Sequence, residues 1–257
     1  MSFELHTENG QSWREAGSGE ALVLVHGIGG TTANWLPVIA PLAGDHHVYA
    51  WSFPGYEAAS PLPMEAPRAE DYADRLLEFL KARDRAHVVG HSLGAIVVAA
   101  LVRKAPGMIA RQSYVCPVLG AGHLPVAQWS QMRQARMAEI RENGMQAFAE
   151  ARTGSIIGPA ASAGDVAEII ATMAGISDKA YLQAWEMLCA SMILPMLAPE
   201  TAPALVVGGA VDPVAPPEAV AQMAEALSVD PVILPDVGHF PTHEARDTLI
   251  ALLGRRP

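Results

Sequence analysis

The chain alternates between short apolar runs and longer stretches that can form helices. The short runs are rich in valine, leucine and alanine, which is typical of strands buried on both faces of a sheet. They predict strands at 22–26, 47–52, 86–90, 112–117, 204–208 and 231–234. The stretches between them predict helices at 35–42, 69–82, 93–104, 217–227 and 244–253.

This alternation predicts an α/β fold with a mostly parallel sheet and helices on both faces. The first twenty residues predict an antiparallel hairpin at the sheet edge. Residues 120–199 show no strand pattern and instead indicate several helices, which hold seven of the eleven methionines. We therefore predict an α/β core formed by 1–119 and 200–257, with 120–199 inserted as a helical cap over the carboxyl ends of the strands.

Composition narrows the class of protein. The chain is 51% hydrophobic and 17% charged, which favours a compact globular protein. A net charge of −10 without a basic cluster argues against binding to nucleic acid or an anionic membrane. No apolar run approaches the roughly 18 residues of a membrane span, and 1–6 is too polar for a secretory signal. Two widely separated cysteines fit a reducing cytoplasm, where we expect a monomer or homodimer.

The motif GHSLG at 90–94 lies between a predicted strand and a predicted helix. A strand that turns into a helix within one G-x-S-x-G is a nucleophile elbow, which displays its serine at the edge of the sheet. The glycines permit a turn too tight for a side chain. Ser92 is therefore the candidate nucleophile. His91 is expected to pack beneath the turn.

A serine nucleophile needs a base, and the base needs an acid to orient it. His239 follows the last predicted strand, so it belongs at the same edge of the sheet as Ser92. Asp212 follows the strand at 204–208 and gives the chain order Ser, Asp, His. Asp236 is the competing acid, although its Pro-Asp-x-Gly setting is typical of a turn.

Two backbone N–H groups are needed to hold an oxyanion. Leu93, at the start of the elbow helix, and Ile28, in the loop HGIGG at 26–30, are the candidates. A phosphate-binding loop is the alternative for these glycines, but G-x-G-x-x-G is absent and no cofactor is expected. His239 and His243 have a metal-like spacing without a suitable third ligand, so no metal is expected either.

The pocket is predicted to lie beneath the helical cap. Its candidate substrate-binding residues are Trp129, Met132, Met187 and Phe240. For any single methionine, packing between cap helices is the better explanation. Arginines at 133, 136, 141 and 152 could hold an anionic group, although a solvated helix face explains most of them.

These motifs, taken in order, resemble the α/β-hydrolase superfamily over nearly the whole chain. They are HGIGG at 26–30, GHSLG at 90–94, GGAVDPVAP at 208–216 and VGHFPTHE at 237–244. The capped organisation is similar to small bacterial esterases, enol-lactonases and carbon–carbon bond hydrolases. The chain departs from the family pattern at Ser52, where an aspartate is common, and at Glu57, where a glycine is common.

The resemblance implies Ser92 as nucleophile, Asp212 as acid and His239 as base, with Ile28 and Leu93 as oxyanion donors. It implies an enzyme that hydrolyses a carboxylic ester or lactone of a small, largely apolar molecule. A carbon–carbon bond hydrolase, or a cofactor-free oxygenase or lyase, is an alternative on the same fold. A ligand-binding protein without catalysis is another.

Overall fold

The computed structural model of this protein describes residues 3–255. Residues 1, 2, 256 and 257 lie outside the described residues, so both ends of the predicted core and the first two residues of the polar stretch 1–6 lie outside them too. The strands are β1 (Leu5–Glu8), β2 (Gln11–Gly17), β3 (Glu20–Val25), β4 (His46–Trp51), β5 (Ala86–His91), β6 (Ile109–Val115), β7 (Ala204–Gly209) and β8 (Val232–Leu234).

These strands form one sheet in the order β1-β2-β4-β3-β5-β6-β7-β8. Strands β3 to β8 pair in parallel, whereas β1 and β2 form an antiparallel hairpin that joins the sheet through β4. The hairpin turn is Asn9-Gly10, and both residues have positive φ, as a tight hairpin turn requires. The predicted α/β fold and mostly parallel sheet are confirmed.

The helices are α1 (Leu36–Leu42), α2 (Ala69–Leu80), α3 (Leu93–Lys104), α4 (Val126–Ile156), α5 (Ala163–Ala174), α6 (Asp178–Ala190), α7 (Pro217–Ala226), α8 (Pro241–Glu244) and α9 (Arg246–Leu253). The single helix predicted at 244–253 is wrong. It is divided at Ala245, whose φ of −141° is not helical, and the chain turns helical earlier, at Pro241. Within residues 3–255, no helix combines the length and apolar character needed to cross a bilayer.

The sheet separates two hydrophobic layers because successive side chains of a strand point to opposite faces. In β3, Val23 and Val25 pack into the layer beneath α2 and α3. Leu22 and Leu24 pack on the other face, against α1 and α9. These four side chains have no exposed surface, so β3 is a central strand of the sheet that is buried on both faces.

Residues 120–199 connect β6 to β7 and contain α4, α5 and α6, with no strand among them. Helix α4 is kinked at Gly144, where φ is 78°, so its second half runs in a new direction. Gln183 of α6 donates a hydrogen bond to the Leu62 carbonyl at 3.2 Å, which ties this segment to the loop after β4.

Candidate active site

Ser92 sits between β5 and α3 in a backbone conformation that serine rarely adopts. Its φ is 53° and its ψ is −117°. Its N–H donates to the Val115 carbonyl at 2.9 Å, and its carbonyl accepts from the Ala95 N–H at 3.0 Å. These bonds to a neighbouring strand and to the helix hold the residue in a strained geometry that displays its side chain.

The glycines of the motif are required by close backbone contacts. A Cβ at Gly90 would lie 2.6 Å from the Ala95 Cα, and one at Gly94 would overlap the carbonyl oxygens of Val25 and His26. These contacts are far shorter than van der Waals contact, so a residue larger than glycine at position 90 or 94 would push the backbone of the elbow apart.

Three polar side chains form a continuous chain of hydrogen bonds at the carboxyl edge of the sheet. The distance from His239 Nε2 to Ser92 Oγ is 2.9 Å, and that from His239 Nδ1 to Asp212 Oδ2 is 2.7 Å. All three residues are at most 4% exposed. With its proton on Nδ1, His239 donates to Asp212 and accepts from the Ser92 hydroxyl, which is the arrangement of a base poised to activate a nucleophile.

Asp212 is held as a carboxylate. Burial alone would raise its pKa, but the hydrogen bond and charge of His239 and the N–H groups of Val214 and Ala215 lower the pKa below the ordinary value. Those two N–H groups lie 2.8 and 3.1 Å from Asp212 Oδ1. Asp236, the competing acid, is exposed in a turn with φ 59°.

The backbone around His239 is held on both sides. Its N–H donates to the Ile156 carbonyl at the end of α4, at 2.9 Å. Its carbonyl accepts from His91 Nε2 at 2.7 Å. Burial and the neighbouring His239 lower the pKa of His91 to about 3, so His91 is neutral and serves as a donor beneath the elbow.

Glu244, which the sequence analysis did not assign to the site, fixes the same loop. Its Oε2 accepts hydrogen bonds from the N–H groups of Gly158 and Gly238, each at 2.7 Å. Its Oε1 accepts from the Phe240 N–H at 2.8 Å. One buried carboxylate therefore binds the residues on both sides of His239 and the chain that leaves α4.

The loop after β3 orients the N–H of Ile28. The Gly27 carbonyl accepts from His26 Nδ1 at 2.8 Å and from the Gly30 N–H at 3.1 Å. His26 Nε2 in turn accepts from the Phe53 N–H at 2.9 Å. Burial lowers the pKa of His26 to about 4, so it stays neutral with one donor and one acceptor nitrogen. Because a trans peptide points its C=O and N–H in opposite directions, fixing the Gly27 carbonyl fixes the Ile28 N–H.

The Leu93 N–H is the first of α3, and a first-turn N–H has no acceptor within its own helix. Ile28 and Leu93 line the same cavity as Ser92 and His239. The two predicted oxyanion donors thus lie beside the predicted nucleophile.

The departure at Glu57 has a local explanation. Glu57 takes a φ of 47°, a conformation that favours glycine. Its carboxylate accepts from the Thr32 N–H at 3.1 Å and the Thr32 hydroxyl at 2.8 Å, and it lies 3.7 Å from Arg14. These contacts hold Glu57 in a backbone conformation that glycine adopts more readily.

The cavity above Ser92 is walled by the elbow, by the loop 27–30 and by helices of the segment 120–199. From that segment come Arg152, Ile156, Met173, Tyr181, Trp185 and Leu188. The three residues from α6 are spaced by four and then three positions, so they form one face of the helix. That spacing is visible in the sequence, but which face of α6 meets the cavity depends on how the helix packs.

Of the four predicted substrate-binding residues, Phe240 lines this cavity. The other three lie elsewhere and do not line it. Met187 is fully buried in the main core because it is on a different face of α6. Met132 is 39% exposed on α4, and Trp129 packs against the core near the start of that helix.

Among the described residues, one group of possible metal ligands lies together. The ligand atoms of His91, Cys116 and His239 are within 4.8 Å of one another. Both nitrogens of His239 are already bonded to Ser92 and Asp212, so an ion there would displace those bonds. His243, the other half of the predicted metal-like pair, instead approaches Glu168 at 3.8 Å.

Curated relatives match part of the chain. The dihydrolipoyllysine-residue acetyltransferase component of the acetoin cleaving system of Cupriavidus necator is 36% identical over 107 residues, which cover 41% of this chain and 28% of that protein. The (E)-2-((N-methylformamido)methylene)succinate hydrolase of Acinetobacter baylyi is 26% identical over 124 residues, covering 48% and 47%. The chain thus spans less than half the length of either relative.

Solved structures match nearly the whole chain. An enol-lactonase from Burkholderia xenovorans LB400 has a TM-score of 0.82 at 22% identity, covering 97% of this chain and 98% of that one. A thermophilic esterase from Thermogutta terrifontis has a TM-score of 0.84 at 19% identity, covering 98% and 96%. At these identities the likeness concerns the fold. The family model that matches residues 22–252 is that of the alpha/beta hydrolase family, and this chain belongs to that family.

Proposed function

We propose that this protein is a serine hydrolase that cleaves a carboxylic ester or lactone of a small, largely apolar substrate through an acyl-enzyme. The observation that carries the proposal is the hydrogen-bonded chain from Ser92 through His239 to Asp212. Two neighbours in fold, named as an enol-lactonase and an esterase, act on bonds of this kind. We also propose that 120–199 acts as a cap that supplies the pocket walls.

In the first half of the reaction, His239 takes the proton of the Ser92 hydroxyl as Oγ bonds to the carbonyl carbon. The carbonyl oxygen gains the electron pair and accepts hydrogen bonds from the Ile28 and Leu93 N–H groups. When the carbon–oxygen bond breaks, His239 gives its proton to the departing alcohol oxygen. Asp212 stabilises the imidazolium that exists between these transfers.

In the second half, His239 removes a proton from water as the water oxygen attacks the acyl carbon. The tetrahedral species collapses, the bond to Oγ breaks, and His239 returns a proton to Ser92. The products are a carboxylic acid and an alcohol, which for a lactone are parts of one molecule.

The test is Ser92→Ala, measured on p-nitrophenyl esters and lactones of graded chain length. We expect kcat to fall by about 10⁴-fold, since triad members act as a unit. A fluorophosphonate probe should label the wild-type protein and fail to label the variant. Ser155→Ala, at an exposed position on α4, is the matched control.

Two results would contradict the proposal. Much residual activity in Ser92→Ala would indicate a lyase or oxygenase in which His239 moves the proton and the serine only orients the substrate. Absence of both labelling and hydrolysis in the wild-type protein would favour a ligand-binding role.

A further inference from the structure

Arg152 places a positive charge in the wall of an otherwise mainly apolar cavity. It lies on the second half of α4 and lines the same cavity as Ser92 and His239. Its neighbours in that wall include Ile156, Met173 and other apolar residues. Across residues 3–255, no carboxylate forms an ion pair or hydrogen bond with its guanidinium.

The nearby carboxylates are already committed to other groups. Glu139 pairs with Arg136 at 3.1 Å. Asp212 is bonded to His239 at 2.7 Å. Burial and the charge of Arg136 lower the pKa of Arg152, while Tyr181, Asp212 and Glu139 act in the opposite direction. The side chain remains a cation at neutral pH, because the ordinary pKa of an arginine lies far above that pH.

The other arginines of α4 have different surroundings, which makes Arg152 distinctive. Arg133 is paired with Glu186. Arg136, besides its ion pair, lies over the Trp185 ring at 5.1 Å. Arg141 is exposed on the helix surface. A solvated or paired helix face accounts for those three and leaves the cavity-lining Arg152 unexplained.

A second donor in the same wall also lacks an acceptor. Within the described part of the chain, the buried indole N–H of Trp185 has no hydrogen-bond partner. Partly buried cations and buried donors without partners are unfavourable in the free protein. A carboxylate bound in the cavity would supply the acceptor that the Arg152 guanidinium lacks.

We propose that the substrate carries a carboxylate apart from the bond that is cleaved, and that Arg152 binds this carboxylate. The inference rests on the proposed function, because it assigns the substrate class of the same site. A guanidinium is suited to this task, since its planar fork can donate two parallel hydrogen bonds to one carboxylate. Arg152 is then a specificity-determining residue, and the reaction itself stays with Ser92, His239 and Asp212.

The kinetic test compares matched esters that differ in one charge. The 4-nitrophenyl monoester of adipic acid is set against 4-nitrophenyl hexanoate, with shorter and longer pairs to cover other spacings. We expect the ratio of kcat/KM, charged over neutral, to fall by about 10- to 100-fold in Arg152→Gln, mainly through KM. Arg152→Lys should recover part of the ratio, and Arg141→Gln should keep the wild-type ratio.

An unchanged ratio in Arg152→Gln, or an equal fall in Arg141→Gln, would overturn the inference while leaving the hydrolase proposal intact. A binding measurement separates the two proposals further. Calorimetry of Ser92→Ala with a series of free dicarboxylates should show binding that Arg152→Gln weakens by at least about tenfold. Binding that does not depend on Arg152 would refute the carboxylate site, whatever the outcome for catalysis.

Discussion

Ser92 holds a backbone conformation that a serine adopts only where its surroundings impose it. A positive φ at a non-glycine residue costs about 1–3 kcal/mol, and here it is offset by bonds to β6 and α3. This strained backbone conformation places Ser92 Oγ 2.9 Å from His239 Nε2. The glycine pattern of GHSLG exposes this strain in the sequence, because only glycine fits at both flanking positions.

The two candidate acids give a sharp test at the residue scale. Asp212→Asn keeps the shape of the side chain but favours the wrong tautomer of His239, so we expect kcat to fall by about 10³- to 10⁴-fold. Asp236→Asn changes an exposed turn residue and should leave kcat within about threefold. Steady-state kinetics on one ester, with circular dichroism to verify folding, measures both variants. Similar losses in the two would show that Asp212 is not the orienting acid.

The sequence predicts the chemical roles of the site residues better than it predicts which helix side chains point into the cavity. Ser92, His239 and Asp212 are marked by motif and chain order. The residues of 120–199 that line the cavity are not marked in this way, because the faces of α4 and α6 that meet the cavity depend on how these helices pack. Met187, Tyr181 and Trp185 all belong to the main core, but only Tyr181 and Trp185, on the next face of α6, line the cavity. Arg152 looks like its neighbours in sequence and differs from them only in where it lies.

At the scale of elements, parallel strands explain why distant residues meet. Ser92 follows β5 directly, Asp212 follows β7 and His239 follows β8. Parallel strands end at one edge of a sheet, so the alternating pattern alone was enough to predict that these residues converge. The predicted bounds are less accurate for the last helix, because Ala245 separates α8 from α9 within the predicted helix 244–253.

Glu244 binds two segments that lie far apart in the sequence. It lies 86 residues from Gly158, and its carboxylate bonds that residue together with Gly238 and Phe240. No short motif reports such a contact, because it depends on how the end of α4 meets the histidine loop. His239 itself bonds Ile156, so the loop and the segment 120–199 are fixed to each other.

Glu244→Gln should therefore loosen His239 without touching the substrate. The amide keeps one acceptor oxygen but turns an NH₂ group toward backbone donors. We expect a loss of about 2–4 kcal/mol in the free energy of unfolding, from lost charge-assisted bonds and an unsatisfied donor. We expect kcat to fall by about 10- to 100-fold with KM less affected, because a displaced base slows chemistry more than binding.

Urea denaturation and steady-state kinetics measure both effects. Glu218→Gln, at an exposed site on α7, is the control for loss of one acidic charge. Wild-type kcat in a correctly folded Glu244→Gln protein would show that the loop holds His239 without this carboxylate.

At the scale of the whole molecule, burial on both faces of the sheet keeps several histidines uncharged. Desolvation lowers the pKa of His26 and His243 to about 4 and that of His87 and His91 to about 3. Two of them, His26 and His91, support the active-site loops through their neutral rings. The geometry of the site therefore depends on these buried imidazole rings remaining uncharged in the folded protein.

This requirement predicts how stability depends on pH. In the unfolded chain these four imidazoles gain protons below about pH 6.5, whereas in the folded protein they stay neutral until pH approaches 4 or 3. The unfolded state then binds more protons, so stability is complete above pH 6.5 and is lost as pH falls. The loss builds up only below pH 6.5, so each of the four groups loses about 1.4 kcal/mol by pH 5.5, and the total loss between pH 7.5 and 5.5 is about 5 kcal/mol.

That loss is comparable with the total stability of an ordinary domain, about 5–15 kcal/mol, so unfolding in mild acid should be pronounced. Urea denaturation at several pH values between 7.5 and 5.5 measures it directly. His243→Asn, which removes one of the four groups, should reduce the pH dependence by about a quarter, since each group contributes one proton. His123→Asn, at an exposed position, is the matched control. A free energy of unfolding that stays flat down to pH 5.5 would mean that these rings can be protonated within the folded protein, and the neutral supports assigned to His26 and His91 would have to be abandoned.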